Sequence, residues 1–290
     1  MMVSAADLAA TPVEIRPAPR LTLHGPTADG TVLARTDCNS PVRREAGMAL
    51  CFVSHYSPRG RTWRRRAADP FDATAALEMV RLLDDPAPDI GKWIEAVWRA
   101  PDGRLFGWYH AEEPADCPGL VRRLFVPHIG ALASDDDGAS WRFLGELLRA
   151  PAGQIDCGFA NGFVTGGYGD FSVVAEGDFF YLHYSSYVAH EPAQGVCVAR
   201  YPIAARTQPS GALQHWRDGA WRKSDALPQP LLPATRGWKH VDPESFWGPA
   251  LHFNRGLQGW VMLLNHAGGG RDIRQEGIYV AFNPSLADPA

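Results

Sequence analysis

Helical periodicity is scarce in this chain of 290 residues. Only Ala73–Asp84 repeats apolar residues at three and four (Ala76, Leu77, Val80, Leu83). Inside it, Glu78-Met79-Val80-Arg81-Leu82 alternates equally well as a strand. No apolar run reaches the length of a membrane span, so none is expected. Residues 1–25 have neither the cationic start nor the apolar centre of a signal peptide. Basic charge is not in excess: 28 Lys and Arg face 32 Asp and Glu, a net charge of −4. A nucleic-acid partner would need a concentrated basic face, so none is expected. The cluster Arg59, Arg61, Arg64, Arg65 and Arg66 reads as a solvated strand or loop, the alternative being a patch for an acidic substrate. The five cysteines, Cys38, Cys51, Cys117, Cys157 and Cys197, are odd in number and scattered. With no Cys-x-x-Cys pair or Cys/His spacing, they support neither a zinc site nor a disulfide framework. The expected compartment is the reducing cytoplasm. The stretches Gly166-Gly167-Tyr168-Gly169 and Gly268-Gly269-Gly270 lack the Lys/Ser pair of a phosphate loop. No Gly-x-Ser-x-Gly elbow points to a serine hydrolase.

What is present is turn chemistry and aromatic surface. There are 29 Gly and 24 Pro, with 10 Trp, 8 Tyr and 13 Phe. Short β-type runs lie between Gly, Pro, Asp and Asn, and flat aromatic side chains suit pleated surfaces. The runs group into similar blocks. One comprises Trp93–Trp98, a Pro101-Asp102-Gly103 turn, Leu105–His110, Ile129–Ala133 and Trp141–Gly145. The next comprises Phe171–Ala175, Phe179–Tyr184, Gly195–Tyr201 and Gln214–Arg222, with a tight turn at Asp218-Gly219. A third runs Phe246–Phe253, Trp260–Asn265 and Gly277–Phe282. A weaker first block covers Asn39–Arg43, Met48–His55 and Arg61–Arg66. Four antiparallel strands per repeat, laid radially, protect strand edges. The expected fold is therefore all-β: a β-propeller of four-stranded blades over residues 36–290. Five blades are preferred, one of them incomplete or closed by the segment 1–35.

The segment Ser134-Asp135-Asp136-Asp137-Gly138-Ala139-Ser140-Trp141 fits S-x-D-x-G-x-S/T-W and resembles the Asp box of sialidases and related propellers. Its Asp is suited to accept backbone N–H groups in a hairpin, Gly to take a positive φ, and Trp to pack beneath. Such a hairpin supports a fold and carries no chemistry.

A carboxylate stands near the start of each block's first strand: Asp37, Glu95, Asp170 and Glu244. The innermost strands of a propeller line a channel, so these residues would converge there. Carboxylates that crowd together shift one another's pKa values, holding one acid protonated beside an ionised base. Glycoside hydrolysis uses such a pair. Each position also has a structural reading: Asp37, Asp170 and Glu244 as turn residues, Glu95 as half of an ion pair.

At these positions the sequence resembles the five-bladed glycosidases of the arabinanase, xylosidase and invertase type, whose first blade starts with a catalytic Asp. The resemblance implies Asp37 as base or nucleophile, with Asp170, Glu244 or Glu95 as the acid or the residue that tunes it. Glu95 stands where those families have Asp, and Asp170 where they have Glu. The segments Asn39-Ser40-Pro41, Gly169-Asp170-Phe171-Ser172 and Phe246-Trp247-Gly248-Pro249 are also similar to a group of bacterial proteins. Asn39, His110, Asn161 and Trp247 are the expected carbohydrate contacts. The structural readings, His110 as a satisfied strand histidine and Trp247 as core, are the commoner ones for such residues. Two other readings stay open. One is a non-catalytic propeller that binds a glycan or a protein. The other is a lactonase-like hydrolase with Glu95, Asn161, Asp170 and Glu244 around calcium, whose hard-oxygen ligands these are. No cofactor is otherwise expected.

Overall fold

The computed structural model describes residues 38–55, 60–70, 72, 74–120, 123–223, 225–268 and 275–289. Asp37, Arg59, Gly269, Gly270 and the segment expected to close the last blade lie outside these residues. Four sheets account for the strands. The first has the order β1 (Val42–Glu45), β2 (Met48–His55), β3 (Arg61–Ala67), β4 (Glu78–Met79). The second contains β5 (Arg81–Leu83), β6 (Gly91–Arg99), β7 (Leu105–Pro114), β8 (Phe125–Ser134) and β9 (Ser140–Leu148), in the order β5-β9-β8-β7-β6. The third is built from β10 (Tyr168–Glu176), β11 (Phe179–Ser186), β12 (Gly195–Pro202), β13 (Gln214–Arg217) and β14 (Ala220–Arg222), with β15 (Leu232–Pro233) paired to β12. The fourth has three strands, β16 (Glu244–Asn254), β17 (Gly259–Gly268) and β18 (Gln275–Asn283). The strand pairings of the first, third and fourth sheets are antiparallel, and β5 runs parallel to β9.

The described residues divide into two compact units: 110–130 with 144–289, and those up to Tyr109 with Ala131–Phe143. In the second of these, six consecutive residues of β2, Ala49 to Ser54, are buried. Both faces of that strand are covered, which is why its sequence shows an unbroken apolar run instead of alternation. Phe52 meets Trp141 edge to face at 5.7 Å, and both rings are fully buried. The β8–β9 hairpin closes over this pair. Asp136 accepts from the Ser140 N–H at 2.8 Å, the Ser140 hydroxyl at 2.6 Å and the Ser134 hydroxyl at 2.9 Å. Gly138 takes φ +80°, and a Cβ there would lie 2.5 Å from the Phe52 ring. Three of the four arginines of β3 are paired with other segments: Arg64 with Glu78, Arg66 with Asp137, and buried Arg65 with the carbonyls of Pro70 and Asp72.

The other unit holds the third and fourth sheets. Tyr181, Trp260 and Leu286 form one buried cluster, joined by Phe179, Trp221 and Leu251. The turn at Asp218-Gly219 forms as read: both residues have positive φ (51° and 72°), and Arg217 pairs with Ala220. That is the two-residue hairpin whose twist matches its strands. The Ala73–Asp84 stretch resolves toward strand, giving β4 and β5.

One reading is overturned. Cys117 and Cys157 form a disulfide, with Cα atoms 5.6 Å apart. Forty residues separate them, so the pairing depends on the return of the chain through β8 and β9 and leaves no local spacing signal. Disulfides persist in oxidising compartments, and the expected cytoplasmic location loses its support from cysteine usage. Among the described residues no helix is long and apolar enough to cross a membrane.

Candidate active site

The first two residues of β10 precede a bulge between Gly169 and Phe171, and Asp170 sits in it. Its φ is +42°, a left-handed value that Asp tolerates better than most residues but still at a cost. Two contacts hold this backbone and a third holds its carboxyl. The Asp170 N–H donates to His110 Nδ1 at 3.0 Å. The Asp170 carbonyl accepts from the Ser185 hydroxyl at 3.4 Å. The Tyr187 hydroxyl donates to Asp170 Oδ2. Gly169 makes the first contact possible, because a Cβ there would stand 2.6 Å from His110 Cε1.

An imidazole nitrogen that accepts a backbone N–H carries no proton. The bond therefore defines His110 as neutral, with its proton on Nε2. That nitrogen lies 3.7 Å from Glu112 Oε1. Burial pushes the Asp170 carboxyl above the usual aspartate range; the Tyr187 hydroxyl pulls it back, and the charge of Glu112 reinforces the rise. A carboxyl so placed keeps its proton at a pH where ordinary aspartates have lost theirs, the property a general acid needs.

Ser185 also accepts from the Gly248 N–H at 3.0 Å. Gly248 lies in the bulge of β16 between Trp247 and Ala250. One buried hydroxyl thus ties the two bulges together. Glu244, at the start of β16, is half-buried, and its backbone is held by Thr235 and Arg236. No hydrogen bond reaches its carboxylate among the described residues. Tyr187 packs edge to face on Trp238 at 5.0 Å, and Trp238 on Trp247 at 6.3 Å. Trp247 is half-buried against a cluster of Phe159, Tyr187, Trp238 and Ala267.

Asp170 and His110 are therefore brought into direct contact. Asn161 has a different use. Its amide nitrogen donates to the carbonyls of Val164 and Trp238, and its oxygen accepts from the N–H groups of Phe163 and Val164. Those four bonds consume its polar capacity in stapling a loop. In the other unit, Asn39 Nδ2 donates to Oε2 of buried Glu95 at 3.4 Å, so two more expected residues are partners. Tyr187, Ser185 and Glu112 were not singled out from sequence. The signal for the first two was the β10–β11 register, in which Tyr168 faces Ser186 and Gly169 faces Ser185. Counting back from the Glu176-Gly177-Asp178 turn leads to that end of the hairpin.

No family model matches the sequence, and no curated protein matches it. Solved structures do resemble the fold. A GH43 β-1,3-galactosidase with galactodeoxynojirimycin aligns with a TM-score of 0.53 at 14% identity, over 92% of this chain and 78% of that one. The arabinanase Arb43A of Bacillus subtilis aligns with a TM-score of 0.52 at 11% identity, over 88% and 75%. The catalytic domain of the Coprinopsis cinerea GH62 α-L-arabinofuranosidase gives 0.52 at 14%, over 92% and 70%. At such identities the likeness concerns the fold alone: a β-propeller arrangement with four antiparallel blades among the described residues.

Proposed function

We propose that this chain is a carbohydrate-active, glycoside hydrolase-like propeller in which Asp170 is the proton donor to the leaving group. The observation that carries the reading is the Asp170 carboxyl itself. It is held in a left-handed bulge by His110 and Ser185, capped by the Tyr187 hydroxyl, and raised in pKa by burial. A structural turn aspartate would accept local N–H groups and have a lowered pKa; Asp170 does the reverse. The glycosidases that share the fold favour a sugar as the ligand. Glu244 is the second acid candidate, and Glu95 with Asn39 is assigned to sugar hydrogen bonding. Asp37 keeps the role of base from its place in the sequence.

The chemistry follows from the acid. As the glycosidic bond breaks, the departing oxygen takes the Asp170 proton, and a base activates the water that adds to the anomeric carbon. Tyr187 orients the carboxyl and then stabilises the carboxylate that forms, while His110 holds the Asp170 backbone. The test is turnover of a panel of arabinosides, xylosides and galactosides, with wild-type protein and Asp170→Asn. Loss of an acid catalyst lowers kcat by roughly 10²–10⁴-fold, while sugar binding, followed by calorimetry, is retained. Full turnover by Asp170→Asn contradicts the assignment. Sugar binding with no product from wild-type protein would leave a glycan-binding propeller. Turnover that a chelator abolishes would favour the calcium reading.

A further inference from the structure

Of the arginines on β3, Arg61 is the one that pairs with no other segment among the described residues. Its Nη1 donates to the carbonyl of its neighbour Gly60 at 3.3 Å. The contrast with Arg64 is one of register. Arg64 stands opposite Glu78 on β4, and their side chains pair at 2.8 Å. Toward Arg61 the same ladder continues: Trp63 faces Met79, and the Val80 N–H donates to the Thr62 carbonyl at 3.0 Å. The next step brings Arg81 to the level of Arg61, a cation where the Arg64 position has a carboxylate. Like charges at facing positions destabilise a strand pair, and no carboxylate among the described residues pairs with Arg81.

Both arginines line a cavity of about 290 Å³ within this unit, near the lower end of small-molecule sites. Lys92 and Asp85 line it too, but they satisfy each other. Lys92 Nζ lies 2.9 Å from Asp85 Oδ1 and donates to the Ala87 carbonyl at 2.6 Å. Asp85 is the acidic residue of the wall and Lys92 neutralises it, so the charges of Arg61 and Arg81 stand uncompensated. Arg81 is exposed and Arg61 half-buried, so neither is sealed from solvent. Beside them the wall is apolar and accessible, with Met79 and Pro88 exposed and Leu82 half-buried.

We propose that this cavity binds a small organic phosphate monoester, its phosphate between Arg61 and Arg81 and its apolar body against Met79, Leu82 and Pro88. Guanidinium groups present forked N–H donors that match phosphate oxygens. A monoester carries close to two negative charges near neutral pH, which answers two cations where a carboxylate would answer one. None of the residues assigned to the sugar site lines this cavity, and its occupancy does not depend on turnover.

Calorimetric titration of the full chain with phenyl phosphate, benzoate and phenol tests it. The wild-type protein binds one phenyl phosphate, about tenfold or more tighter than benzoate, and shows no saturable uptake of phenol. Arg61→Gln and Arg81→Gln each weaken phenyl phosphate about tenfold or more, the loss expected when a charged hydrogen-bonding partner is removed. Arg44→Gln removes the same charge from an exposed position of β1 that does not line the cavity, and leaves the affinity unchanged. In wild-type protein the Nε–H resonances of Arg61 and Arg81 move with phenyl phosphate, a readout free of any folding defect. Absence of saturable binding, equal affinity for benzoate, or a loss in Arg44→Gln as large as in Arg61→Gln overturns the proposal. So do Arg61 and Arg81 resonances indifferent to phenyl phosphate.

Discussion

Asp170 concentrates two costs in one residue: a left-handed backbone and a carboxyl whose ionised form is disfavoured. The second has a measurable sign. A folded-state pKa above the unfolded one means that the native protein holds more protons. Stability is then fully present below the ordinary aspartate pKa and lost as pH rises through the raised one. Asp170→Asn cannot ionise and retains an oxygen to accept from Tyr187. Its Tm should match wild type near pH 4 and exceed it increasingly toward neutral pH, reaching a plateau above the Asp170 pKa. A constant Tm difference across that range, in a thermal scan series, would contradict the raised pKa. Of these details the sequence revealed the position of the carboxylate. The environment was hidden, because His110 reaches Asp170 across 60 residues and Tyr187 is set beside it only by a bulged register.

Among the elements, the β8–β9 hairpin shows local sequence and tertiary packing acting together. Its Asp136 side chain closes the turn, while Gly138 lets the loop settle on Phe52. Gly138→Ala adds a positive-φ penalty of about 1 kcal/mol to an overpacking cost of roughly 1–3 kcal/mol. Chemical denaturation should show a loss of about 2–4 kcal/mol, with the denaturant dependence unchanged. A loss under about 0.5 kcal/mol would mean that the loop does not rest on the ring. Such hairpins were legible because their signals are local, as at Asp218-Gly219. The first sheet was harder to read, since β2 is buried on both faces and does not alternate. The Ala73–Asp84 stretch was ambiguous for a related reason: strands of two and three residues, β4 and β5, are too short to display a period.

At the scale of the whole molecule, blade order was readable and cysteine pairing was not. The Cys117–Cys157 bridge closes a loop across 40 positions, which by loop entropy is worth about 4 kcal/mol. Thiol titration in denaturant should find three reactive thiols without reductant and five with it, since Cys38, Cys51 and Cys197 stand outside the disulfide. Cys117→Ala/Cys157→Ala should lower stability by up to that amount. Five thiols in unreduced protein would contradict the bridge.

The central claim is that Asp170 delivers a proton to a departing sugar oxygen, and the dependence of turnover on the leaving group tests it most directly. With aryl glycosides of the preferred sugar, Asp170→Asn should be severely impaired on poor leaving groups such as phenol. It should approach wild-type rates on 2,4-dinitrophenol, which departs without protonation. An equal loss on every aryl glycoside would contradict the account, because a residue that only shapes the site slows all leaving groups alike.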